Sequence, residues 1–158
     1  MNKKEDNISR IKIRPMKIED FEEIHELWMG IKGFSIRSVD DSLEGIEHFL
    51  ERNPNTSIVA QMDNEIAGTI LCGHDGRRGC LYHVCVKEKF RNQDIGKRMV
   101  KAALEALKKE NISKVSLVAF KENQVGNIFW KKEEWICRND INTYDYILNE
   151  ANVIHRNI

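Results

Sequence analysis

Val84-Cys-Val-Lys-Glu-Lys-Phe-Arg-Asn-Gln-Asp-Ile-Gly-Lys-Arg-Met-Val100 is the stretch that decides the fold. It opens as the end of an apolar strand, crosses a short polar loop and closes as the first turn of an amphipathic helix. A strand that delivers a loop onto a helix N-terminus makes an anion site. The first N–H groups of the helix have no internal partner, and the dipole end there is positive. Gly96 removes a side chain where a ligand can approach the backbone, and Lys97 and Arg98 add charge beside it. The spacing is neither GxGxxG nor GxxxxGK[ST], which excludes the dinucleotide and P-loop fingerprints. Taken alone, these residues also fit an ordinary connection with a solvated basic helix start, and both readings stay open at this level.

The chain around this stretch reads as alternating elements. Ile11-Lys-Ile-Arg-Pro15 alternates apolar and polar residues and stops at proline, a first strand. Phe21, Ile24, Leu27 and Trp28 share one face of a helix, with Asp20 and Glu23 placed as a capping box. A polar-aromatic connection covers residues 34–41. A second helix follows, capped by Asp41 or Ser42 and stopped by Asn53-Pro54. Residues 57–62 and 65–72 are strands around an Asp63-Asn64 hairpin turn. Residues 80–86 form the strand entering the opening loop. The long helix after the loop runs to about residue 111. A fifth strand is expected over 114–120, a short helix over 123–132, and last strands over 135–137 and 143–148. The order is β-α-α-β-β-β-α-β-α-β-β. This is an α/β (α+β) fold with a mixed sheet of six to seven strands, one parallel unit at its centre and helices on both faces.

The 158 residues suit one domain with a proper core, expected over residues 8–150 with 1–7 and 151–158 as frayed termini. Lys plus Arg and Asp plus Glu both number 25. This balance argues against a broad nucleic-acid or membrane surface, so any basic site is local. No apolar run reaches the ~20 residues of a membrane span, and no apolar signal region follows the N-terminal residues, so the expected compartment is the cytoplasm. Cys72, Cys80, Cys85 and Cys137 form no CxxC pair and read as reduced thiols. No set of His and carboxylate residues has metal-ligand spacing, so no metal is expected.

A second motif follows the fifth strand: Glu122-Asn-Gln-Val-Gly-Asn-Ile-Phe-Trp-Lys-Lys-Glu-Glu-Trp135. The two motifs, at this separation and in this strand order, resemble the GNAT acyltransferase superfamily over about residues 11–148. The likeness is greatest to its bacterial branch of ribosomal-protein alanine acetyltransferases and their relatives. Arg91, Asp94 and Gly96 fall on the family's loop pattern. Asn123, Gly126, Phe129, Trp130, Lys132, Glu134 and Trp135 fall on the later one. Asp94 and Glu134 stand where the family carries glycine. Trp130 stands where many members carry the Tyr that protonates the departing CoA thiolate. An indole N–H donates but does not titrate in this range.

The resemblance implies acetyl-CoA as co-substrate and a primary amine, small molecule or protein N-terminus, as acceptor. Its pyrophosphate would lie on Arg91, Asn92, Gln93, Asp94, Ile95, Gly96 and Lys97. The pantetheine arm would pair with the backbone of Val84, Cys85 and Val86, with Asn123, Asn127 and Trp130 on its other side. The amine must attack the thioester as a neutral nucleophile, so a base must take its proton. The two candidates are Tyr82, whose reference pKa of about 10 is poorly matched, and His83, whose range is right. Strand alternation turns His83 away from Tyr82 and Val84, and a packed His83 is the alternative reading. The Asp40-Asp41 pair either binds a cationic acceptor or caps the second helix. A non-catalytic acetyl-CoA-binding regulatory module is the rival to an enzyme, and the chain is expected to be a monomer or homodimer.

Overall fold

The computed structural model describes residues 10–157; the expectation for residues 1–7 lies outside them. Among the described residues seven strands and four α-helices follow one another as β1 (Ile11–Pro15), α1 (Phe21–Gly30), β2 (Phe34–Arg37), α2 (Leu43–Arg52), β3 (Ile58–Met62), β4 (Glu65–His74), β5 (Gly79–Val86), α3 (Ile95–Lys109), β6 (Val115–Ser116), α4 (Gln124–Lys132) and β7 (Ile154–Asn157). The main sheet runs β1-β3-β4-β5-β6, antiparallel except for the parallel β5–β6 pair, and β2 pairs with β7 in a second, two-stranded sheet. The expected mixed α/β architecture is therefore present.

The sheet divides two apolar cores. On one side Met99, Val100, Ala103 and Leu107, one stripe of α3, bury against Ile58, Ala60, Ile70 and Leu81. On the other Ile24, Leu27 and Trp28 of α1 and Ile46 of α2 pack against Val59, Ile66 and Leu71. Trp28 is fully buried, and its Nε1 donates to the equally buried Thr69 Oγ1 at 2.9 Å, so the indole's one polar atom is satisfied.

The helix starts differ in part from expectation. Ser42 caps α2, accepting from Gly45 N–H at 3.0 Å. Asp20 makes no cap bond to α1. Its carboxylate is held by both terminal nitrogens of Arg14, at 2.7 and 2.8 Å, and by Lys17 N–H. Glu23 likewise turns to Ile66 N–H. A bidentate guanidinium outcompetes a local cap.

The C-terminal third departs furthest. The strand expected over 114–120 shrinks to Val115–Ser116, and no strand forms over 135–137 or 143–148. Instead β7, a strand the residue pattern did not indicate, pairs with β2, in what was expected to be a connection. Asn157 anchors this pairing: its side-chain amide donates to Met29 O at 2.7 Å and Ile31 O at 3.1 Å, two carbonyls at the end of α1.

α4 ends in a Schellman turn, with Trp135 N–H on Trp130 O and Glu134 N–H on Lys131 O. That turn forces Glu134 to φ 65°, the left-handed region that glycine occupies most cheaply. Glu134→Gly is accordingly expected to raise unfolding stability by about 1 kcal/mol in urea titration. A second expectation concerns pH. Burial alone would raise the Asp20 pKa, but the Arg14 hydrogen bond and charge outweigh it and hold the carboxyl below its ordinary range. A depressed folded pKa contributes stability that is present above the unfolded value and lost as pH falls. Asp20→Asn should cost about 1–2 kcal/mol at neutral pH, with the gap to wild type closing in acid.

Candidate active site

β5 carries one residue too many for its partner. Tyr82 lies opposite Leu71 and Cys85 opposite Thr69, so β5 advances three residues where β4 advances two. The surplus is taken up at His83, whose φ is 48°, the geometry of a bulge with a left-handed residue. A one-residue slip moves every later side chain to the opposite face. Leu81 before the bulge and Val84 and Val86 after it pack towards α3. Cys85 packs on the α1 side. Tyr82 and His83 therefore share the α1–α2 face, which corrects the expectation from simple alternation.

The surroundings of His83 are dense. Its ring lies 4.5 Å from Trp28 and stacks on Phe34 at 5.2 Å and 25°. Its Nε2 is 2.7 Å from Asp41 Oδ1. The other Asp41 oxygen accepts from Arg37 N–H at 2.8 Å, so Asp41 neither caps α2 nor faces open solvent. A carboxylate oxygen accepts, so His83 Nε2 is the donor in this contact. The backbone is pinned too, because Thr69 Oγ1 donates to His83 O at 2.8 Å. Tyr82 meets Phe49 edge-on, and burial pushes its phenol up to about 12. The same cause lifts the Cys85 thiol to about 11, so neither group ionises near neutrality.

Before the bulge β5 has already lost its outer neighbour. Pairing with β6 lasts only from Gly79 opposite Val115 to Cys80 opposite Ser116. After that the strands part. Lys87 N–H bonds Ala67 O, so the residues in step with Lys87 turn their backbone towards β4 and Cys85 pairs there with Thr69. Val84 and Val86, out of step, present N–H and C=O to the gap. Arg91 Nε bonds Val86 O at 3.1 Å. A gap edged by strand groups without a neighbouring strand suits an extended ligand with amide groups. Val84 and Val86 face it, whereas the Cys85 backbone turns to β4.

The loop supplies the anion end. The first bond of α3 runs from Arg98 N–H to Asp94 O, which leaves the N–H groups of Ile95, Gly96 and Lys97 without an intrahelical partner. Asn92 and Asp94 both hold positive φ, 63° and 61°. Asp tolerates this region better than most residues, so Asp94 reproduces a glycine's backbone; it is exposed and makes no cap bond. Gln93 Oε1 and Arg98 Nη1 are buried without a partner; Gln93 lines a recess at the β3–β4 hairpin and Arg98 Nη2 reaches Ile11 O, so both side chains turn towards β1 and that hairpin. Gly96 serves packing as well as approach: a Cβ there would lie 3.3 Å from the Phe129 ring.

On the far side, Asn123 and Asn127 act locally. Asn123 Oδ1 caps α4 through Gly126 N–H. Asn127 Nδ2 holds Phe120 O at 2.9 Å and so ties the chain after β6 to the helix. Trp130 packs between Phe129 and Trp135. At the closed end of the splay, on the α1–α2 face, a cavity of about 370 Å³ is lined by Phe49, Asn53, His74, Cys80, Tyr82 and Ser116. A larger recess of about 590 Å³ at the β3–β4 hairpin holds charges that are already paired, Glu65 with Lys87 and Lys89. It is lined by Phe90 and Gln93 of the opening loop and by no residue of β5. Among the described residues no group of three or more His, Cys, Asp or Glu side chains could hold a metal, and no helix is long and apolar enough to cross a membrane.

Comparison with known proteins bears on this geometry. Residues 20–132 match the family model for the acetyltransferase (GNAT) family. An acetyltransferase of Sodalis glossinidius is 26% identical over 131 residues, 83% of this chain and 91% of that protein. One of Photorhabdus laumondii is 29% identical over 125 residues, 79% and 86% of the two chains. In fold, the chain superimposes on the PaiA N-acetyltransferase of Thermoplasma acidophilum, solved with coenzyme A, with a TM-score of 0.64 at 22% identity, covering 91% of this chain and 96% of that one.

The close Gly96–Phe129 approach yields a double-mutant test. Gly96→Val should cost about 1–3 kcal/mol of stability by overpacking and weaken acetyl-CoA binding in calorimetry. In a Phe129→Ala background the added stability cost should fall well below that. Strict additivity would show that Phe129 is not the obstacle.

Proposed function

We propose that this chain, which belongs to the GNAT acetyltransferase family, deprotonates its acceptor amine with His83, backed by Asp41. Membership makes the protein an acetyl-CoA-dependent N-acetyltransferase. Its acceptor is a primary amine, a small molecule or a protein N-terminus. Bound acetyl-CoA supplies an activated acyl group as a thioester.

The chain's residues divide the remaining work. The N–H groups of Ile95, Gly96 and Lys97, with Arg91, hold the pyrophosphate. The gap-facing backbone of Val84 and Val86 aligns the pantetheine arm. The Val84 N–H is the donor for the thioester oxygen as charge develops on it. The acceptor sits in the cavity between Phe49 and Tyr82 and enters as the neutral amine, its ammonium proton lost to solvent; the proton released as it attacks passes through water to His83. Tyr82, neutral at all working pH, is a wall and a hydrogen-bond donor. Trp130 cannot titrate, so the thiolate leaves without a proton from that position.

The observation that carries the reading is the 2.7 Å His83–Asp41 contact at the bulge, on the same face as Tyr82 and the cavity. A thiol-release assay across small amines and peptides tests it. His83→Gln should lower kcat by about 10²-fold. Tyr82→Phe should change KM and leave kcat nearly in place. Tight acetyl-CoA binding with no thiol release on any acceptor would instead favour a regulatory binding module.

A further inference from the structure

The cavity assigned to the acceptor has two arginines in its wall. Besides Phe49 and Tyr82 it is lined by Arg52, the last residue of α2, and by Arg78 in the β4–β5 turn. The frame that carries these residues is fixed. Asn53 Oδ1 accepts from His74 N–H at 2.9 Å and so ties the end of α2 to the start of the turn. A Cβ on Gly73 would lie 2.7 Å from the Phe49 ring and 2.8 Å from Asn53 Nδ2, so the end of β4 and the end of α2 are in close contact. Within the turn, Asp75 N–H bonds Arg78 O at 3.2 Å, and Asp75 Oδ1 accepts from Arg77 N–H at 2.8 Å and Arg78 N–H at 2.7 Å. His74 closes it, with Nδ1 accepting from Gly76 N–H and Nε2 bonded to Glu110.

Arg52 and Arg78 are both exposed, and neither guanidinium has an ion-pair or hydrogen-bond partner among the described residues. Arg52 also suits the negative end of the α2 dipole, but Arg78 lies in no helix. Among the described residues the lining holds one carboxylate, Asp75, and the turn already occupies one of its oxygens. Two guanidiniums against one engaged carboxylate disfavour an ammonium in the cavity, in keeping with an amine that enters neutral. They attract an anion, which a guanidinium binds through charge-assisted, often bidentate, hydrogen bonds. We infer that the acceptor is a small amine that also carries an anionic group, a carboxylate or a phosphate. Arg52 and Arg78 bind that group, and the amine points towards Tyr82. This deepens, and rests on, the assignment of the cavity to the acceptor. Its volume of about 370 Å³ falls in the range of small-molecule sites. The strand from Gly79, next to Arg78, to Tyr82 covers about 10 Å, which bounds the separation of anion and amine. A polyamine, with a second cation in place of the anion, is disfavoured by the same charges.

Calorimetry on the protein saturated with CoA compares matched probes, O-phosphoethanolamine against ethanolamine and β-alanine against propylamine. The anionic member of at least one pair should bind about 10-fold tighter or more, and the pair that shows it identifies phosphate or carboxylate. Arg52→Gln combined with Arg78→Gln, both at exposed positions, should keep the melting temperature and bring the two members of that pair to similar affinity. Equal affinity within both pairs, no binding by either anionic probe, or a preference that survives the double variant would overturn the proposal. So would a peptide with an N-terminal aspartate that binds more tightly than both small anionic probes. Thiol release with the preferred probe separates this outcome from the reading of His83. A full kcat in His83→Gln with the preference intact leaves the arginine site standing and removes the base. A lowered kcat with no preference does the reverse.

Discussion

One surplus residue in β5 sets the working face of this protein. Without it His83 would point with Leu81 into the α3 core, and Val84 and Val86 would turn to the α1–α2 face. With it, the strand keeps its apolar side chains on the α3 face at both ends and still turns two polar aromatics towards α1 and α2. The bulge is stabilised from three directions. Thr69 donates to its carbonyl, Asp41 holds its imidazole, and Trp28 and Phe34 clasp the ring. Trp28 in turn gives its indole proton to Thr69, so the packing of α1 and the backbone of β5 are fixed through one hydroxyl. A left-handed histidine costs free energy in an isolated strand, and this surround offsets it.

Much of the architecture was legible because it is written locally. The apolar stripe of α3, the Asp63-Asn64 turn and the strand–loop–helix at residues 84–100 each follow from periodicity and turn chemistry within a short window. The two residues at family glycine positions are informative here. Asp94 and Glu134 sit at φ 61° and 65°, so the backbone was kept while the residue changed, and the sequence pattern underreports how well the loop is preserved.

What could not be read depends on distant partners. The pairing of Asp41 with His83 joins residues 42 positions apart, and nothing near Asp41 distinguishes it from a helix cap; Ser42 next to it takes that role. A bulge leaves no mark in a run such as Cys80-Leu-Tyr-His-Val-Cys-Val, where every residue suits a strand on either face. Asp20 stands at the N-cap of α1 as its position suggests, but its carboxylate is taken by Arg14 from the end of β1. The last strands followed a sound local pattern, but a strand needs a neighbour and the pattern does not name one.

The wall behind His83 has a kinetic character of its own. Phe34 belongs to β2, which is paired only with β7, and Asn157 reaches Met29 across 128 positions of chain. Closing so long a loop is slow, and the contact order of this small sheet is far above that of the hairpins in the main one. The β2–β7 pairing thus depends on long-range closure, whereas β3, β4 and β5 pair through short hairpins. In the proposed function the acceptor would enter beside the long-range pair, and acetyl-CoA would lie beside the short-range ones.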